Sequence, residues 1–212
     1  MALALDERML MTGDALRLVA ITDNLRDGID GLVRRARAAR RGGATMIHLR
    51  LPDESARTLA AAARALMRGV DVPVIVHGRA DVALAAGAAG VHLAVHDIEV
   101  ADVRQLTGDA FVIGRSVASE NDLHRATAAD YVTLGPVFPA ADRLPEPALG
   151  LSEFERLARA CPVPVVAIGG ISAATAVEAL RAGARGVALI SAVFGSRDPE
   201  KAAREVRSAI GM

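Results

Sequence analysis

The chain has 212 residues, yet it has no tryptophan, one tyrosine and four phenylalanines, so aromatics make up 2% of it. A site that grips its ligand by stacking between rings has almost nothing to be built from. The lone cysteine, Cys161, excludes an intrachain disulfide and fits a reducing compartment. Neither sign of charge dominates, with 25 basic residues against 25 acidic. Without a basic stripe the chain has little to offer a phosphate backbone, and nucleic acid is not expected as a partner. No apolar run approaches the ~20 residues that span a membrane, so no membrane partner is expected either. The opening MALALDERMLMTGD is interrupted by Asp6, Glu7 and Arg8 and lacks the apolar region of a signal peptide. Residues 1–14 are read as a leading segment, residues 15–212 as one domain, and the cytoplasm as the location. A homo-oligomer is compatible with all of this.

What the chain has is apolar bulk, 52% of its residues, arranged with a beat. Short β-rich runs cover 17–23, 45–50, 72–77, 90–95, 110–114, 130–135, 163–169 and 186–191. Longer segments rich in alanine, arginine and leucine separate them. Their starts, near Asp30, Asp53, Asp81, Glu99, Glu120, Ser152, Ser172 and Asp198, carry the acidic and hydroxyl residues that helix N-termini prefer. Glycines follow several of them, as in RRGGA and RAGARG, where the left-handed stop needs them. Eight nearly all-apolar strands, each followed by a helix, predict a parallel sheet closed on itself, a single-domain (β/α)₈ TIM barrel. An open doubly wound sheet is the alternative, but the first strand is not followed by G-x-G-x-x-G. The longest loop, 136–150, follows strand six.

In such a barrel the chemistry sits at the carboxyl ends of the strands. Strand seven ends in Gly169 and Gly170, and strand eight in Ile190 and Ser191. Bare glycine backbone lets amides approach a ligand, and the helix starting at Ser172 turns its positive end toward the same place. These two loops predict a phosphate cup, against the plainer reading that the glycines only permit a turn.

The other strand ends offer Thr22–Asp23, His48, Arg50, His77, Arg79, His96–Asp97, Arg115–Ser116 and Arg143. Arg50 closes an apolar strand, a costly place for a guanidinium unless an anion or carboxylate meets it. His48 lies two residues earlier, on the same face, and can donate to substrate or shuttle a proton; a core histidine bonded to a neighbour fits as well. Asp97 is a candidate ligand for Mg²⁺, or a cap. His92 and His96 lie along a strand and its exit, where a spacing of four makes no zinc pair. Cys161, beside Pro162, has no evident base, and His124 reads as a surface residue.

The segments GRADVALAAGAAGVHL (78–93), IGRSVAS (113–119), ADYVTLGPVFPA (129–140) and PVVAIGGIS (164–172), with Gly150 between them, resemble the thiamine phosphate synthase / TenI superfamily along nearly the whole chain. The resemblance implies a barrel binding a thiazole phosphate. Synthases join it to a pyrimidine pyrophosphate with Mg²⁺ and release pyrophosphate; TenI proteins tautomerise a thiazole carboxylate phosphate. It carries the thiazole-phosphate positions onto Gly150, Gly169, Gly170, Ile190 and Ser191, a pyrophosphate-side role onto Arg50 and Ser116, and a metal aspartate onto Asp97. Departures are plain. His48 stands for glutamine and Pro52 for lysine in the QLREK segment. His77-Gly78 stands for Asn-Asp, which removes one metal ligand. Arg143 stands for the lysine of the PTxTK loop, keeping charge but changing donor geometry. The residue after Ser116-Val117 is Ala118 where TenI proteins have their catalytic histidine. Coupling is the preferred reading, with Arg50, His48, His77, Ser116 and Arg143 as catalytic candidates. A TenI-like tautomerase using His48 or His77, and a non-catalytic thiazole-phosphate-binding barrel, are the alternatives.

Overall fold

A computed structural model describes residues 13–139 and 148–212. The reading of residues 1–14 as a leading segment lies outside these, except for Gly13 and Asp14. Eight parallel strands pair in sequence order and close, the first against the last. They are β1 (Leu18–Ile21), β2 (Met46–Leu49), β3 (Val74–His77), β4 (Gly90–Leu93), β5 (Val112–Val117), β6 (Tyr131–Leu134), β7 (Val165–Ile168) and β8 (Gly186–Leu189). The connecting helices are α1 (Gly28–Gly42), α2 (Ala56–Gly69), α3 (Ala80–Ala86), α4 (Val100–Thr107), α5 (Glu120–Leu123), α6 (Gly150–Ala160), α7 (Ala173–Arg181), α8 (Ser191–Phe194) and α9 (Pro199–Ala209). The (β/α)₈ barrel is therefore what the chain forms. No helix among the described residues is long and apolar enough to cross a membrane.

Side chains of a strand alternate between faces, and in a closed barrel this sorts them into two cores. Leu18, Ile47, Leu49, Val76, Val91, Ile113, Val132 and Leu189 point outward and pack under the helices. Val19, Ile21, Met46, Ile75, Val112, Tyr131, Val166 and Ala188 fill the interior. The helices begin and end where local chemistry supports them. Ser55 accepts the N–H of Thr58 at the start of α2, Ser172 that of Thr175 at α7, and Asp198 that of Lys201 at α9. Gly43, at φ 116°, stops α1 in the left-handed conformation.

Three details differ from the sequence reading. Helix α2 starts three residues after Asp53, because Ser55 and not Asp53 supplies the cap. Strand β5 runs to Val117, so Arg115 and Ser116 lie within it rather than beyond its end. A guanidinium is tolerated there because Arg115 points away from the interior and donates to the carbonyls of Val95 (2.8 Å) and Ile98 (2.9 Å) in the loop after β4. Finally, the short α8 stands between β8 and α9, where the periodicity showed only a connection.

A buried arginine ties α8 to the start of the barrel. Arg35 on α1 donates to Asp23 Oδ1 (3.0 Å), to the carbonyl of Phe194 (3.2 Å) and to that of Asn24 (2.8 Å). Its guanidinium also lies 5.7 Å from the Phe194 ring centre. One side chain thus holds the loop after β1 against the helix after β8. Replacing it takes the donor from the Asn24 carbonyl and one of two donors from each of Asp23 Oδ1 and the Phe194 carbonyl, which keep the Asn24 N–H and the Arg26 guanidinium. The Arg35→Ala variant is expected to lose about 3 kcal/mol of stability with an unchanged m-value in urea denaturation.

Candidate functional site at the carboxyl ends of the strands

Inward-facing positions near the mouth are polar where the lower ones are apolar. β2 contributes His48, β3 His77, β4 His92, β5 Ser116, and β6 Tyr131 and Thr133. His48, His92, Tyr131 and Thr133 are almost fully shielded from solvent, while His77 is only partly so. The Tyr131 hydroxyl sits between two imidazoles, 2.8 Å from His48 Nε2 and 3.2 Å from His92 Nδ1. The other nitrogen of His92 lies 3.0 Å from Ser116 Oγ and 3.2 Å from Thr133 Oγ1. The result is a continuous polar chain from β2 through the barrel axis to β5. Among the described residues, its one buried side-chain nitrogen without a partner is His48 Nδ1.

Gly114 makes this chain possible. It faces inward between His92 and Tyr131, and a methyl group there would fall 2.3 Å from Tyr131 Cζ and 2.5 Å from His92 Nδ1. The phenol and imidazole occupy the volume that any other residue's Cβ would need.

The site residues expected from the sequence divide into groups. His48 and His77 share the mouth with His92, their ring centres 6.1 Å apart. Arg50 stands just beyond β2; its main chain is clamped by Thr22, whose hydroxyl accepts the N–H and donates to the carbonyl, both at 2.9 Å. Among the described residues its guanidinium has no carboxylate partner, and its charge acts on His77. Arg79, by contrast, is spent on Asp81. Asp97 accepts the Ala94 N–H at 2.7 Å through Oδ2, so one of its oxygens closes a turn. A Cβ on Gly78 would come within 3.6 Å of that same oxygen. Positions 78 and 97 therefore lie side by side, with one carboxylate between them. Arg143 lies outside the described residues.

At the other side of the mouth, Gly169 (φ 90°) and Gly170 (φ 65°) both adopt left-handed backbone. They also pack without room for a side chain: a Cβ on Gly169 would meet Pro136 at 2.5 Å, and one on Gly170 would meet Phe138 at 2.6 Å. The loops after β6 and β7 are laced together, with the N–H of Val137 donating to Ile168 O (2.9 Å) and that of Phe138 to Gly169 O (3.1 Å). Among the described residues, the N–H groups of Gly169 and Gly170 have no protein acceptor. Gly150 opens α6, and its N–H donates to Val137 O at 3.0 Å. Ile190 and Ser191 lie on the neighbouring strand's exit, where α8 begins. The sequence reading names both halves of this rim as an expected phosphate cup; it does not name His92 or Tyr131 as site residues. The register β3–β4–β5–β6 that brings them together leaves no mark in local spacing.

Burial sets the charge state of the mouth. It pushes the His77 imidazole down to about 4, with the Arg50 guanidinium adding to the shift. It holds His48 and His92 well below 6.5, with neighbouring imidazoles adding to the shift, and raises the Tyr131 phenol well above its ordinary range. At neutral pH all four are therefore uncharged. The linkage has one sign: between pH 6.5 and 4 the unfolded chain takes up protons that folded His77 refuses, so stability falls as pH drops through that window. The urea midpoint is expected to be level above pH 7 and to decline from pH 6.5 to 4; the decline should be shallower in His77→Gln.

Residues 18–193 match the family model described as thiamine monophosphate synthase. A thiamine-phosphate synthase of Roseiflexus castenholzii is 44% identical over 191 residues, 87% of this chain and 83% of its own. One from Methanoculleus marisnigri is 42% identical, over 82% of this chain and 86% of its own. Among solved structures, a thiamine phosphate pyrophosphorylase from Pyrococcus furiosus superposes with a TM-score of 0.82 at 35% identity, covering 93% of this chain and 96% of that one. With the closed barrel and its polar mouth already in view, these matches place the chain in the thiamine monophosphate synthase family, and so in thiamine biosynthesis.

Proposed function

We propose that this chain, acting in the cytoplasm, couples a thiazole phosphate to a pyrimidine pyrophosphate and releases inorganic pyrophosphate. The observation that carries this reading is Arg50: a cation at the barrel mouth, held by its own backbone clamp, with no carboxylate to neutralise it among the described residues. A bond from the thiazole to the pyrimidine-bearing carbon forms as that carbon's bond to the pyrophosphate oxygen breaks. Negative charge collects on the departing oxygens, and fixed donors aimed there lower the barrier. Arg50 supplies such charge, and the Ser116 hydroxyl lies on the same inner surface. The free amides at Gly169 and Gly170, with Ile190 and Ser191 at the exit of the next strand, seat the phosphate of the other substrate.

Asp97 is the residue that would hold Mg²⁺, through the oxygen not engaged by Ala94. With one carboxylate from the protein, the rest of its coordination would fall to water and substrate phosphates, and its charge would help to neutralise the leaving group. The tautomerase reading has less support. The position that would bear its base is Ala118, whose N–H is drawn into the cap of α5 by Asp122.

Purified protein given thiazole phosphate, pyrimidine pyrophosphate and Mg²⁺ is expected to form thiamine phosphate. Arg50→Ala should lower kcat/KM by about 10²–10³-fold, and Asp97→Asn should raise the Mg²⁺ concentration needed for half-maximal rate. Absence of product above background with both substrates saturating overturns the proposal.

A further inference from the structure

Three imidazoles meet at the barrel mouth. His48, His77 and His92 come from three consecutive strands, and one ring nitrogen of each lies within 4.8 Å of the others. Their ring centres are 6.1, 5.0 and 4.8 Å apart. Three imidazoles bound to one tetrahedral ion, each at the usual nitrogen–metal distance, keep their ring centres about 5 Å apart. Two of the three spacings match a shared ion; His77, stacked on His92 with the ring planes 10° apart, must swing out of that stack to aim a nitrogen at the same point.

The hydrogen bonds leave His48 with a nitrogen to offer. Tyr131 has one proton to give and two imidazole neighbours. If it donated to His48 Nε2, His48 would carry its own proton on Nδ1, a fully buried N–H with no acceptor. The cheaper arrangement puts the His48 proton on Nε2, pointing at the Tyr131 oxygen, and leaves Nδ1 as a bare lone pair. A ligating histidine usually anchors its second nitrogen on an oxygen, as His48 does here through Nε2–H. The Tyr131 proton then goes to His92 Nδ1, and the His92 proton lies on Nε2 toward the Ser116 and Thr133 hydroxyls, so an ion that binds His92 displaces one of these hydrogen bonds. His77, the third, has no hydrogen bond to a protein partner among the described residues.

We propose that His48, His77 and His92 bind one divalent transition-metal ion of the Zn²⁺ class at the barrel mouth. Three nitrogen ligands without a carboxylate suit a borderline ion rather than Mg²⁺. Three protein ligands also leave a fourth position for water or substrate. Burial keeps the imidazoles unprotonated, the form that coordinates. The inference rests on these side chains alone and stands or falls separately from the coupling reaction.

Metal-free full-length protein is titrated with Zn²⁺ against a chromophoric chelator, and with Co²⁺ while visible absorption is followed. One equivalent of Zn²⁺ should bind, and Co²⁺ should show the intense bands of a four-coordinate site. His77→Gln, at the partly exposed rim, should abolish the stoichiometric site while keeping the wild-type circular dichroism. His48→Gln should do the same. Tyr131→Phe should weaken Zn²⁺ binding by roughly 10- to 100-fold. His96→Ala, on the exposed turn, should bind as the parent does. Sub-stoichiometric binding by the parent overturns the proposal, as does unchanged affinity in His77→Gln; the latter result would assign the ion to surface groups. If His48→Gln fails to fold, His77→Gln decides.

Discussion

A barrel of eight short strands has an interior closed to bulk water, and every polar atom that the pleat turns inward must find a partner there or remain costly. That constraint organises the upper half of this molecule. The single tyrosine spends its hydroxyl on two imidazoles, one of those imidazoles reaches two hydroxyls, and a glycine on β5 gives up its side chain so that they fit. Below this layer the inward positions are filled by valine, isoleucine and methionine, which ask for nothing. The polar groups of the mouth are thus fixed by one another in a medium that cannot hydrate them.

The family relation and this arrangement describe one site from two directions. The backbone-built part is the pair of left-handed glycines after β7 beside the exit of β8. The side-chain part sets one carboxylate, Asp97, against Gly78 and gathers the imidazoles of His48, His77 and His92. Arg50 keeps positive charge at the rim.

Much of the fold was legible in the sequence because parallel barrel strands are buried on both faces and read as apolar runs, while helix starts carry Ser or Asp at the cap, as at Ser172 and Asp198. Strand β5 was harder, since Arg115 looks like a strand end until its two carbonyl acceptors in another loop are seen. Of the site, Gly169, Gly170, Arg50 and Asp97 could be found because each sits at a strand exit. His92 could not be tied to His48 and His77 from spacing, because their proximity comes from the stagger between neighbouring strands. Tyr131 was hidden for a related reason: an aromatic at the start of a strand looks like ordinary core until two nitrogens are found on its oxygen.

The lacing between the loops after β6 and β7 has a further consequence. Val137 and Phe138 hang from the carbonyls of Ile168 and Gly169, and Pro136 and Phe138 press against the bare α-carbons of the two glycines. An anion settling on the glycine amides would pull on peptide units whose opposite ends already hold the neighbouring loop. The two connections then behave as one mechanical part, and occupancy at one strand's exit is felt in the backbone leaving the next.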